Sequence, residues 1–226
     1  MLTAAELQVV GFTLRIAALG TALILAPGVL AALALARYRG PGKSVLETIL
    51  SLPLVLPPTA VGMVLLTLLA RRGLVGRWLD AAGIEVVFTW RAVLLATMVM
   101  AFPLLVRSAR TGFEEVDPRL VGLARTLGCG PVVAFFRVTL PLAWRAILAG
   151  TVLAFARALG EFGATIMIAG NIPGRTQTLA LAIFQASQNG HDDRAQVLAG
   201  VTVLLAFATL WTAELFTRRR ARRAAT

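Results

Sequence analysis

The sequence predicts an all-α polytopic membrane protein of about five transmembrane helices, and three observations carry that prediction. Five apolar runs are each long enough to cross a bilayer. Hydrophobic residues make up 58% of the 226, with a mean hydropathy of +0.81. The basic residues gather between the runs rather than within them. A soluble domain of this length has no core large enough to hide so much apolar surface. A net charge of +11 can mark a nucleic-acid binder, but placed between apolar runs it is the orientation signal of a membrane protein. No nucleic-acid partner is expected. One cysteine, Cys129, excludes an internal disulfide, and one histidine, His191, leaves no basis for a histidine-built metal site.

Taken in order, residues 16–36 and 48–70 give 21 and 23 uncharged residues. Residues 86–106 are apolar except for Arg91, and 146–169 except for Arg157 and Glu161. Residues 195–213 give 19 uncharged residues. About 20 residues of helix cross a bilayer core, so all five qualify. The shorter run at 179–187 reads as an extracytoplasmic or re-entrant helix. The first run is too long for a signal peptide and lacks a basic leader, so no cleaved leader is expected. Between the spans, 14 basic residues fall on one side and 5 on the other. The richer side should be cytoplasmic, with the N-terminus outside and the C-terminus inside. The arginines at 218–223 then read as an anchor on anionic headgroups. No repeat or long linker divides the chain, so 1–226 is expected to be a single membrane unit with its core at about 7–216.

The interruption at about 114–141 falls on the cytoplasmic side. Asp117-Pro118 is a helix start: a side-chain acceptor at the cap, then a proline whose fixed φ suits the first helical position. Leu120, Leu123, Ala124 and Leu127 share one face, and Gly128 ends the helix where a left-handed residue is wanted. Gly130-Pro131 starts a second short helix running through Arg137, before Leu140-Pro141 re-enters the membrane. The expected result is two angled helices presenting Val132, Val133, Phe135 and Phe136 around a glycine hinge in which Cys129 is a small filler. On physics alone the pair is either a docking surface or an amphipathic hairpin lying on headgroups.

The spacing Ala124-x3-Gly128-x9-Val138-x-Leu140-Pro141 resembles the EAA loop of type I ABC-transporter permeases, although Gly122 and Leu123 stand where a glutamate and the first alanine are usual. SLPLVLPPT at 51–59, FPLLVR at 102–107, LAFARALGEFGAT at 153–165 and GNIPGRTQT at 170–178 are similar to the molybdate permease subunits of ABC importers. Tungstate and sulfate permeases share the loop and part of the Gly-Glu-Phe-Gly segment. The resemblance implies the type I importer permease fold in a bacterial cytoplasmic membrane. It implies a homodimer that forms the pathway, with two ATP-binding subunits docked on the loop and an extracytoplasmic molybdate-binding protein on the other face. It also implies that this chain binds no cofactor and performs no covalent chemistry; ATP and magnesium belong to the partner ATPase. The loop residues singled out for coupling are Leu123, Ala124, Gly128, Gly130, Phe135, Leu140 and Pro141.

Further candidates lie within the apolar runs. Pro53, Pro57 and Pro58 break the second; the break either gates the pathway or only kinks a packed helix. Arg157 and Glu161 sit four apart on one helical face of the fourth run. They are either a waypoint for a divalent oxyanion or an ion pair that fixes packing. Gly160, Gly163 and Ala164 keep that face small for close helix approach. Asn171, Pro173, Gly174 and Thr176 form an outer loop with a Pro-Gly turn; the resemblance implies that it faces the binding protein or the pathway mouth, and otherwise it is an ordinary exposed loop. Gly42-Lys43-Ser44 imitates a phosphate-binding loop, but position 37 is arginine rather than glycine and no strand is predicted before it.

Overall fold

A computed structural model describes residues 2–223, with side chains described for 2–212 and 214; the side chains of the 218–223 arginines lie outside it. Among the described residues the chain is helical, without strands. The helices are α1 (Ala4–Arg37), α2 (Lys43–Val55), α3 (Pro58–Leu69), α4 (Gly76–Ala81), α5 (Trp90–Glu114), α6 (Pro118–Thr126), α7 (Pro131–Ala134), α8 (Leu140–Leu159), α9 (Gly163–Ala169), α10 (Leu179–Gln188) and α11 (Asp192–Arg223). Four continuous helical stretches, Ala4–Arg37, Trp90–Glu114, Pro131–Leu159 and Asp192–Thr212, are long and apolar enough to cross a membrane. The bent pair α2 and α3 raises the number to as many as five.

Helix α5 is the axis of the molecule, packed against α1 on one side and α8 on the other. Missing side chains set these crossings. A Cβ on Gly28 of α1 would fall 2.6 Å from the Leu105 side chain, and one on Gly112 of α5 would fall 2.4 Å from the Ala146 Cβ. Ser108 donates to the Ala146 carbonyl at 2.7 Å, which adds a polar tie between α5 and α8. Thr13 of α1 accepts the Leu179 N–H at 2.9 Å and so fixes the start of α10. Helix α11 lies at the margin and leaves Val203, Leu204, Phe207 and Trp211 exposed.

One expected break takes shape, and two expectations change. The second apolar run is broken, as its prolines predict: α2 and α3 meet at 109°. Leu56 and Pro57 both precede a proline, which disfavours the helical region, and both are extended at ψ 144° and 131°. The fourth run also breaks, with α8 ending before Gly160 and α9 starting at Gly163. Finally, the helix begun at Pro131 does not stop at Arg137. It continues through a π-helical turn, Phe135–Thr139, into α8. Pro141 has no N–H to donate, and its ring would crowd the carbonyl four residues earlier. The wider turn, with the Leu140 N–H bonded to the Phe135 carbonyl, accommodates it without ending the helix.

Candidate functional site

Helix α6 is built as a two-faced element. The Asp117 carboxylate accepts the Arg119 N–H at 2.8 Å, which satisfies a first-turn donor. At the other end Gly128 takes φ +86°, and the Cys129 N–H returns to the Ala124 carbonyl at 3.0 Å. No residue of α6 is fully buried. Leu120, Leu123 and Leu127 are 44%, 60% and 83% exposed and form one ridge. Val121, Gly122 and Arg125 lie on the opposite face and line a groove against the protein body. Ala124 is half-buried between them. A short helix with a bare leucine ridge is the shape that inserts into an apolar groove of a partner.

The rest of the loop is a seat for this ridge. Gly130 is extended and caps Pro131, accepting the Ala134 N–H at 2.9 Å. Phe135, expected on the presented surface, instead turns inward, its ring 6.3 Å from that of Phe113 in a cluster with Ala32, Leu35, Val106 and Ala143. Leu140 joins the same cluster, while Phe136, 60% exposed, stands edge-on to Phe135 at 5.1 Å. Pro141 is exposed at the start of α8. Val132 and Val133 are exposed as expected.

The two helix breaks face each other. A Cβ on Gly163 would lie 2.7 Å from that of Pro58, and one on Gly62 would lie 2.7 Å from the Ala164 carbonyl. Helices α3 and α9 therefore touch backbone to backbone just beyond their breaks. Glu161 is fully buried there. Its Oε1 accepts the Ala164 N–H at 2.7 Å, capping α9, and its Oε2 lies 2.6 Å from Arg157 Nη1. That contact is an ion pair by distance, too oblique for a hydrogen bond. Arg157 remains 26% exposed. Pro57, Pro58, Glu161 and Gly163 thus come together. Pro53 does not join them; it lines a separate cleft with Pro27 and Pro103.

The outer loop separates into braces and a tip. Thr176 is fully buried, accepting the Ile172 N–H at 3.0 Å and reaching the Gly170 carbonyl at 3.4 Å. Asn171 donates to Gln185 Oε1 at 3.1 Å. Pro173 and Gly174, with Gly174 at φ +74°, form the exposed tip. One polar constellation escaped the sequence reading. Lys43, Glu47, Arg110 and Glu114 interlock, with Arg110 2.9 Å from Glu47 and 2.8 Å from Glu114. The i,i+4 spacings of Lys43 with Glu47 and of Arg110 with Glu114 were its legible signal. Lys43 of the phosphate-loop imitation is engaged in this network.

The model of the family described as binding-protein-dependent transport system inner membrane component matches residues 28–222. The chain belongs to this family. The transport component is 44% identical over 220 residues to the molybdenum transport system permease protein of Escherichia coli (strain K12), covering 96% of each chain. It is 40% identical over 198 residues to a putative molybdenum transport system permease protein of Bacillus subtilis (strain 168), covering 87% of each. A sulfate transport system permease protein of Escherichia coli (strain K12) is 36% identical over 196 residues, 87% of this chain and 71% of the relative. In fold, the transport component matches a bacterial ABC transporter involved in the import of alginate, with a TM-score of 0.76 and 17% identity over 96% of this chain and 80% of that one. It also matches a methionine ABC transporter, with a TM-score of 0.73 and 15% identity over 94% of each chain. Its architecture is that of the type I ABC importer permeases.

Proposed function

We propose that this chain is the permease subunit of an ATP-driven molybdate importer. The observation that carries the reading is the 44% identity to a molybdenum permease across 96% of both chains. It acts as a single unit over 1–226, in a bacterial inner membrane, with its N-terminus outside and its C-terminus in the cytoplasm. Two copies pair to form the pathway, since one chain of about five crossings encloses none. The leucine ridge of α6 enters a groove on each of two ATP-binding subunits, which hold the ATP and magnesium; the permease itself carries neither. Phe135, Leu140 and the glycines at 128 and 130 transmit loop displacement into α8, and Pro141 is taken up by the π turn. An extracytoplasmic molybdate-binding protein delivers the anion to the face bearing the Pro173-Gly174 tip.

On this reading ATP binding draws the two loops together and opens the pathway outward, and hydrolysis resets it. The facing breaks at Pro57-Pro58 and Glu161-Gly163 are the hinge between these states, with Arg157 beside them as the positive group a divalent oxyanion meets. A second reading, sulfate as the cargo, is favoured by the 36% identity to a sulfate permease. Reconstituting the permease with its ATPase and binding protein and measuring ATP-dependent uptake separates them. Molybdate should be taken up, with sulfate in excess competing weakly; preferential sulfate uptake would replace the cargo and keep the machine.

A further inference from the structure

Behind α6 lies a basic groove that the transport reading does not use. It has a volume of about 700 Å³ and runs between the last turn of α1, the end of α5, the inner face of α6 and the start of α7. Arg37, Arg39, Lys43 and Arg125 line it against a single carboxylate, Glu114. That carboxylate is already engaged by Arg110 at 2.8 Å and by Lys43 at 3.5 Å. Among the described residues, Arg37, Arg39 and Arg125 have no acid within ion-pair distance. Three guanidinium groups lining one groove without a counter-charge raise its positive potential, which a bound anion relieves.

The groove wall also carries a buried threonine. Thr139 lines it, is only 5% exposed, and its hydroxyl has no hydrogen-bond partner among the described residues. Thr48, Thr67 and Thr151 donate to the carbonyl four residues back, whereas Thr139, like Thr21 and Thr165, does not. Thr139 stands in the π turn, where the Phe135 carbonyl accepts the Leu140 N–H. Leu33, Phe113 and Val116 add apolar wall, and Arg37 stands where the apolar run of α1 ends. A ligand that fits must combine an anionic group rich in acceptors with a hydrocarbon tail.

We infer that this groove binds the phosphate of an acidic phospholipid headgroup, held by Arg37, Arg39 and Arg125, with its acyl chain along α1. Basic pockets between transmembrane helices at the membrane surface are suited to such headgroups. The bound lipid would seat α6 from behind and hold its leucine ridge outward. Neither cargo nor ATPase enters this argument.

The test is native mass spectrometry of the purified full-length chain equilibrated with phosphatidylglycerol, with phosphatidylcholine as the neutral arm and inorganic phosphate as the free-anion arm. Phosphatidylglycerol should be retained in preference to phosphatidylcholine. Each of Arg125→Gln and Arg37→Gln should weaken retention about fivefold, as one surface cation contributes about 1 kcal/mol. Gly122→Glu should weaken it at least as much: open space beside Gly122 admits the side chain, which places a carboxylate in the groove. Arg125→Lys should restore most of the binding. Arg37→Gln lies on α1, so its loss does not depend on how α6 folds. Equal retention of the two lipids, or unchanged retention in the variants, would overturn the inference. So would displacement of the lipid by millimolar inorganic phosphate, which would make the ligand a free anion.

Discussion

Gly128 holds φ +86° with nothing within 4 Å of where a Cβ would stand. A substitution there meets no steric wall and acts only through the backbone, where left-handed geometry disfavours most side chains by about 1–2 kcal/mol and β-branched ones by more. Gly128→Val should therefore insert normally yet lose ATP-coupled uptake, while Gly128→Asn, which tolerates this conformation, should retain most of it. Equal uptake by both variants would detach the turn from coupling. Glu161 poses a different question, because one carboxylate serves both the α9 cap and Arg157. A double-mutant cycle of Arg157→Gln and Glu161→Gln, read by thermal unfolding in detergent, should show a coupling of about 0.5–3 kcal/mol. A stability coupling with unchanged uptake affinity assigns the pair to packing; a raised KM for molybdate in Arg157→Gln assigns Arg157 to the pathway. The sequence placed both residues on one helical face but could not reveal the cap, because the break at Gly160 depends on how α9 docks on α3.

At the scale of elements, the facing breaks make the sharpest demand. Gly163 admits Pro58, and Gly62 admits Ala164, only because each lacks a Cβ. Gly163→Val should force α3 and α9 apart and destabilise the chain by about 1–3 kcal/mol, as overpacking does; an unchanged melting temperature would contradict the contact. Pro57→Ala with Pro58→Ala relieves the restriction that keeps Leu56 and Pro57 extended. The doubly substituted chain should still assemble with the ATPase but transport poorly, and loss of assembly alone would count against a hinge there. The apolar runs and the caps of α6 were legible because they depend on local chemistry: Asp117, Pro118 and Gly128 act within one or two turns. The 109° bend, the π turn and the inward rotation of Phe135 were not. The prolines at 57, 58 and 141 mark where the bend and the π turn fall without giving their geometry, while the rotation of Phe135 is decided by a tertiary partner, Phe113 on α5.

For the whole molecule, topology and coupling are the remaining claims. Cys129 is the single cysteine and lies in the loop. An impermeant maleimide applied to intact cells should leave it unlabelled, and should label Gly174→Cys in a Cys129→Ser background; the reverse pattern would invert the orientation. The central claim is that the exposed ridge of α6 connects a separate ATPase to transport. Its most direct test is ATP-dependent molybdate uptake by the reconstituted complex carrying Leu123→Glu and Leu127→Glu, with retained ATPase measured in parallel. These side chains support no internal packing, so the chain should reach the membrane at its normal level, release the ATPase and lose uptake. Uptake at the unsubstituted rate with the ATPase still bound would contradict the account.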